Sequence, residues 1–156
     1  VMQEYPASDY GSPAEAYAQV ITDSWFAAPI YRIADSLDNQ IKVYYYEFSD
    51  PTCPKYVTTD FAQGTAHTYE LPYLFPGFHG SSDLSTDLNK KQQKVAKEMV
   101  KLWTGMSEVD RRGIWERFDS DRAQYLKLGQ GKPQMMDMKD YRERHHFDFW
   151  QNIRLY

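Results

Sequence analysis

Gly64-Thr65-Ala66-His67-Thr68-Tyr69-Glu70-Leu71-Pro72-Tyr73-Leu74-Phe75 sets one histidine in a loop of small residues, then a carboxylate three residues on, then an apolar Pro-Tyr-Leu-Phe run. Upstream lies Ile41-Lys42-Val43-Tyr44-Tyr45-Tyr46-Glu47-Phe48, whose β-branched and aromatic residues predict a strand. Apolar side chains on both of its faces suit an interior strand covered by helices. Such a strand needs sheet neighbours, and this chain offers few. Between strand and histidine runs a Pro- and Thr-rich loop, Asp50 to Asp60.

A histidine on such a loop has a definite chemistry open to it. Imidazole titrates near neutrality, so it can take a proton from an attacking hydroxyl and return it to a leaving alcohol. One ring nitrogen must then face the nucleophile and the other an acid, which favours a loop at the carboxyl edge of a sheet. The alternative is a structural histidine, and spacing does not separate the two.

Composition narrows the classes. The chain has 156 residues, enough for one domain with a sizeable core, and 42% hydrophobic with 16% aromatic residues predicts a packed state. A net charge of −4 supplies no basic field, so nucleic-acid binding is not expected. No apolar run reaches the roughly 20 residues that span a bilayer, and no membrane partner is expected. Cys53 is the single cysteine, which rules out an internal disulfide. Neither this nor the missing Asn-x-Ser/Thr sequon distinguishes a cytoplasmic from an exported protein. The opening Val1-Met2-Gln3-Glu4-Tyr5-Pro6 reads as structured sequence, the expectation for a cut or truncated polypeptide, or for trimming of a disordered end.

Outward from the loop, Ser12-Pro13-Ala14-Glu15 has the form of a capping box, with Ser12 as N-cap. Ala16, Tyr17, Val20, Ile21 and Trp25 follow at helical spacing and predict a buried face. Pro29 opens a second helix with a stripe of Ile30, Ile33, Ala34 and Leu37, ended by Asp38-Asn39. Leu84, Leu88, Val95, Met99 and Leu102 predict a long amphipathic helix over 84–103, with a lysine-rich solvated face and Gly105 as terminator. Trp115 to Phe118 is a short aromatic stretch, Gln124 to Gly129 a second strand, Gly129 to Pro133 a turn, and 138–153 a last helix. No repeat or long linker divides the chain, so 1–156 reads as one unit or part of one.

His67-x-x-Glu70-Leu71-Pro72-Tyr73-Leu74-Phe75 resembles the His-Gly-x-Glu-[Leu/Ile]-x-[Tyr/Phe]-[Val/Leu]-Phe pattern of the type-B carboxylesterase/lipase family, to which the cholinesterases and para-nitrobenzyl esterases belong. Thr68 departs from it, standing where the family usually has glycine. If that glycine has φ > 0, threonine must find another geometry or bear strain. Asp23-x-x-Phe26-x-x-Pro29-x-x-Arg32-x-Ala34 is similar to the family's helix before a late core strand, and Val43-Tyr44-x-Tyr46-x-Phe48 to that strand. Leu88 to Trp103 is similar to the helix after the histidine, and Trp115-x-x-Phe118 with Tyr125-Leu126-x-Leu128-Gly129 to the aromatic stretch and strand beyond. Phe147-x-Phe149-Trp150 resembles the closing segment, while Thr104 to Asp110 replaces the usual linker after the helix.

The resemblance implies the C-terminal part of an α/β-hydrolase three-layer sandwich, its sheet completed by an N-terminal segment outside this chain, as a companion chain or missing sequence. It implies a carboxylic-ester substrate, a triad histidine in His67, and neither metal nor organic cofactor. Serine and acid would lie upstream of Val1. Glu70 would steady the loop, the alternative being a plain surface carboxylate. No Gly-x-Ser-x-Gly elbow occurs here, so the chain alone is expected to be inert. His79 reads as a turn residue. His145 and His146, adjacent on a helix, face different ways and read as non-functional. Tyr69, Tyr73 and Phe75 read as packing residues, the alternative being a place at the border of the acyl or alcohol pocket. Two rival readings remain: a non-catalytic relative serving as scaffold for a protein-binding surface, as in adhesion proteins of this fold, and a free-standing small binding domain.

Overall fold

A computed structural model of the chain describes residues 1–80, 82–105 and 113–153. They form two compact units. One comprises Val1–Tyr45, Arg117–Gln124 and Met136–Tyr156; the other comprises Tyr46–Glu116 and Tyr125–Met135.

The first unit is helical. α1 (Pro13–Ile21) has Ser12 as its N-cap, Oγ accepting the Glu15 N–H at 3.2 Å, and proline in the first turn, while the Glu15 carboxylate of the expected capping box accepts the Gly11 N–H at 3.2 Å. A π-helical turn, Thr22–Ala27, leads directly into α2 (Ala28–Leu37), which ends at Asp38. The wider turn changes which face points inward. Ala16, Asp23, Ser24, Ala27, Ala28, Tyr31 and Ala34 are buried, whereas Tyr17 is 67% exposed and Trp25 65%. The expected faces through Tyr17 and Trp25, and through Ile30 and Ile33, are therefore corrected: these side chains lie outside. Small residues and paired polar groups take the inner face, where Tyr31 packs edge-on against Phe118 at 5.7 Å and against Phe147 at 4.3 Å.

The expected closing helix over 138–153 is two, α5 (Met138–Arg144) and α6 (Phe147–Gln151). His146 breaks it, with φ +45°. Its neighbour His145 is buried, its Nδ1 lying 2.6 Å from Asp23 Oδ1. Asp23 also accepts from the Tyr5 hydroxyl at 2.8 Å and from Gln19 Nε2 at 2.8 Å, and Tyr5 in turn accepts from Trp150 Nε1 at 2.5 Å. A fully buried carboxylate is tolerable when donors surround it in this way. Burial, chiefly, keeps the Tyr5 hydroxyl protonated far above the usual phenol range, and the adjacent Asp23 charge adds to that.

The second unit holds the sheet's parallel pair. β1 (Tyr46–Ser49) runs alongside β2 (Gln124–Gly129) with Tyr46 opposite Leu126 and Ser49 opposite Gly129, and β3 (Gln134–Asp137) completes the order β1-β2-β3. β2 matches its expected span. β1 is shorter than expected, and among the described residues it is an edge strand, mostly half-buried, rather than interior. α3 (Leu71–Leu74) and α4 (Lys90–Thr104) pack on each other. α4 begins six residues later than its apolar spacing predicts, because Asn89 and Gln92 form a reciprocal capping box at Lys90. Leu84 consequently stays exposed, while Val95, Met99 and Leu102 are buried. Gly105 ends α4 as expected. It does so without positive φ: a Cβ there would sit 2.7 Å from the Lys101 carbonyl oxygen. The unusual linker at 104–110 lies mostly outside the described residues.

Candidate functional site

Parallel β1 ends at Ser49, and Asp50 follows at the carboxyl end of the strand, 1% exposed. Thr52 donates to its Oδ1 through both the backbone N–H, at 2.9 Å, and the hydroxyl, at 2.7 Å. Tyr73, on α3, donates its hydroxyl to Oδ2 at 2.7 Å. Burial pushes the Asp50 carboxyl up, but hydrogen bonds from Tyr73, Thr52 and Gln130 outweigh it and hold the group below its ordinary value. Burial raises the Tyr73 hydroxyl, and its bond to Asp50 raises it further. Gln92 of α4 donates to the Thr52 carbonyl at 2.7 Å, and Gln130, past β2, to the Thr52 hydroxyl at 3.2 Å. The segment between Asp50 and Tyr73 thus leaves from the carboxyl end of β1 and is tied back to it.

His67 lies on this segment and is exposed. It sits in the first of two overlapping tight turns, Tyr69 N–H to Ala66 O at 3.1 Å and Leu71 N–H to Thr68 O at 3.0 Å. Thr68, shared by both turns, takes φ +73°, a left-handed conformation that is costly for a β-branched residue. Of the two outcomes open to a threonine at the glycine position, the structure has the strained one. The Thr68 hydroxyl donates to the His67 carbonyl at 2.5 Å, and the Tyr56 hydroxyl bonds to Thr68 Oγ1. Lys55 donates to the Gly64 carbonyl and lies over the Tyr69 ring at 4.9 Å. The Tyr69 hydroxyl donates to Gln63 Oε1.

Glu70 is half-buried at the start of α3, and its charge, after burial, helps raise the Tyr46 hydroxyl on β1. Tyr69 and Tyr73 are buried as expected of packing residues, whereas Phe75 is exposed. His79 is exposed and its carbonyl accepts the Ser82 N–H at 3.2 Å, a turn as expected. Cys53 is buried, which raises its thiol against the opposing pull of Lys55 Nζ, 3.3 Å from Sγ. The sequence reading did not single out Asp50, Thr52, Tyr56 or Gln92. A carboxylate directly after a predicted strand was a usable signal for Asp50; nothing in the sequence marks the Tyr56–Thr68 contact.

The histidine pair at 145–146 belongs to the first unit. His146 Nδ1 lies 2.7 Å from Glu4 Oε1 beside a groove of about 810 Å³, lined also by Tyr31, Arg142 and Phe147. Arg142 there is already engaged, 2.6 Å from Asp148. Among the described residues, no three His, Cys, Asp or Glu side chains are grouped to hold a metal ion, and no helix is long and apolar enough to cross a membrane.

Comparison with known proteins bears on this geometry. The chain is 26% identical to human (Homo sapiens) cocaine esterase over 137 residues, covering 82% of this chain and 24% of that protein. It is 25% identical to mouse (Mus musculus) acylcarnitine hydrolase over 141 residues, with the same coverage of 82% and 24%. The chain therefore spans about a quarter of the length of the curated relatives it matches. The crystal structure of juvenile hormone esterase from Manduca sexta, with OTFP covalently attached, superposes with a TM-score of 0.67 at 20% identity, covering 97% of this chain and 31% of that one. That likeness is one of fold, and it makes the helices and three-stranded sheet part of an α/β-hydrolase. The sequence model of the carboxylesterase family matches residues 1–150, and the chain belongs to that family.

Proposed function

We propose that this chain is the C-terminal part of a serine-dependent carboxylic-ester hydrolase, and that His67 is its triad histidine. The observation that carries this reading is an exposed His67 on a segment whose two ends are tied together at the carboxyl end of β1. In open α/β sheets, reacting groups collect beyond the carboxyl ends of the strands. The left-handed backbone at Thr68, where the family usually has glycine, adds support: the loop keeps a glycine-like geometry although the glycine is gone.

In this reading His67 takes the proton from a serine hydroxyl as it attacks the ester carbonyl, and gives it to the departing alcohol. An acyl-serine forms, and water, activated by the same imidazole, releases the acid. Serine, triad acid and oxyanion donors come from the N-terminal segment of the same esterase, so the chain alone is inactive. Among the described residues β1 lies at the edge of the sheet beside one parallel neighbour, and parallel strands belong to larger sheets covered on both faces, which supports such a partner. Glu70 steadies the loop from the start of α3. The names of the relatives, cocaine esterase and acylcarnitine hydrolase, support a carboxylic-ester substrate.

The test is labelling of the complete natural protein with a serine-reactive fluorophosphonate, in wild type and in His67→Ala. Labelling of wild type that disappears in the variant is the expected outcome. An unlabelled wild type, or a variant labelled at the wild-type rate, would overturn the reading; an unlabelled wild type would favour the protein-binding scaffold.

A further inference from the structure

We infer that Tyr56 is a positioning residue for His67, acting through the hydroxyl of Thr68; the inference rests on the reading of His67 given above. A left-handed threonine is the chief irregularity of the loop. At φ +73° its backbone is strained for a β-branched residue, so surrounding contacts must hold it. The contacts are present. A threonine hydroxyl has one proton, and that of Thr68 goes to the His67 carbonyl, at 2.5 Å. The proton in the Tyr56–Thr68 contact is then supplied by Tyr56, giving a relay from the Tyr56 O–H to Thr68 Oγ1 and from Thr68 O–H to the His67 carbonyl.

Tyr56 is itself held firmly enough to act as an anchor. It is 9% exposed, its ring packs edge-on against Tyr69 at 5.0 Å and Phe78 at 5.8 Å, and a Cβ on Gly80 would lie 3.2 Å from the same ring. The adjacent Lys55 donates to the Gly64 carbonyl, on the other side of the histidine. Residues 55 and 56 therefore grip the loop on both sides of His67. With glycine at 68, the left-handed conformation would come without strain and no hydroxyl would be available to hold. With threonine, the peptide between 67 and 68 is fixed by the relay, and with it the direction from which the imidazole leaves the backbone.

The experiment measures kcat and KM for para-nitrophenyl acetate on the complete natural protein. Wild type, Tyr56→Phe, Thr68→Gly, the double variant and His67→Ala are compared. Misplacement of a catalytic group by a fraction of an ångström is expected to lower kcat of Tyr56→Phe roughly tenfold, with KM within about twofold of wild type. In the Thr68→Gly background the same Tyr56→Phe change should alter kcat less than about twofold, because the relay no longer exists. If Tyr56→Phe does not fold, Thr68→Ser and Thr68→Ala decide: serine keeps the hydroxyl and wild-type kcat, alanine loses both. Wild-type kcat in Tyr56→Phe, equal effects of Tyr56→Phe in both backgrounds, or equal kcat in Thr68→Ser and Thr68→Ala overturns the inference while leaving a His67-dependent esterase intact. Turnover in His67→Ala at the wild-type rate, or none in wild type, removes the esterase reading and the inference together.

Discussion

The Tyr73 hydroxyl donates to Asp50 Oδ2 at 2.7 Å across a separation of 23 residues, and this one bond fastens the far end of the histidine segment to the end of β1. Both partners are buried, and the Asp50 carboxylate takes two further bonds from Thr52. Removing one partner leaves the other desolvated and underbonded, which costs about 1–3 kcal/mol. Tyr73→Phe keeps the ring against Phe48, at 4.9 Å, so it isolates the hydroxyl. We expect urea unfolding of the natural protein to show a loss of about 1–2 kcal/mol for Tyr73→Phe and more for Asp50→Ala. The double variant should fall short of the sum, because the shared bond is lost once. Strict additivity would show that the bond carries no weight.

The same carboxylate sets an acid limit. Its folded-state value lies below the ordinary one near 3.8, so ionised Asp50 favours the folded state. The contribution is complete above the ordinary carboxylate range and is lost as pH falls through the depressed folded value. Asp38, at the end of α2, acts in the same direction, its carboxyl lowered chiefly by bonds from the Ser120 backbone and hydroxyl. Unfolding free energy measured from pH 6 downward should therefore decline below about pH 4, and the decline should be shallower in Asp50→Asn. An unchanged slope in that variant would refute the assignment.

Legibility differed by element, for physical reasons. β2 and the caps at Ser12 and Gly105 were readable because strand composition and cap chemistry are local. The start of α4 was missed because Leu84 and Leu88 continue the apolar spacing, although Asn89 and Gln92 stop the helix short of them. The faces of α1 and α2 were misjudged because large side chains outvoted alanines, and because a π-helical turn shifts the register in a way that no 3.6-residue period can follow. The pattern points to His67 and Glu70 as candidates, but not to the groups that brace the segment carrying them. Asp50 meets Tyr73, and Tyr56 meets Thr68, only once the chain has turned back on itself.

His145 shows the same limit, and its variant is informative. Expected only to face away from His146 on a helix and to be non-functional, it is buried against the 0%-exposed Asp23 and joins α5 to the π-helical turn. Breaking a buried pair from one side strands a carboxylate, at a cost of about 3–5 kcal/mol. His145→Ala should accordingly destabilise strongly, while Asp23→Asn in the same background should recover part of the loss by removing the charge. A double variant less stable than His145→Ala would mean that Asp23 is adequately paired by Tyr5 and Gln19 alone.

Two glycines permit a contrast between steric collision and backbone strain. Gly129 ends β2 opposite Ser49, and a Cβ there would lie 2.3 Å from the Ser49 carbonyl oxygen and 3.1 Å from Asp50 N. These are backbone atoms of the strand end that carries Asp50, so they cannot rotate away; β2 would have to separate from β1. Gly131, in the turn between β2 and β3, has φ +102° but open space around its missing Cβ. Alanine at 131 pays for strained backbone, about 1–2 kcal/mol. Alanine at 129 meets an overpacked sheet and should cost about 3 kcal/mol or more. If His67 acts as proposed, the displaced strand end holds the anchor of its segment, so Gly129→Ala in the complete natural protein should also lower kcat for para-nitrophenyl acetate at temperatures where it is still folded, and Gly131→Ala should not. Equal kcat in the two folded variants would break the proposed link between the β1–β2 junction and the histidine.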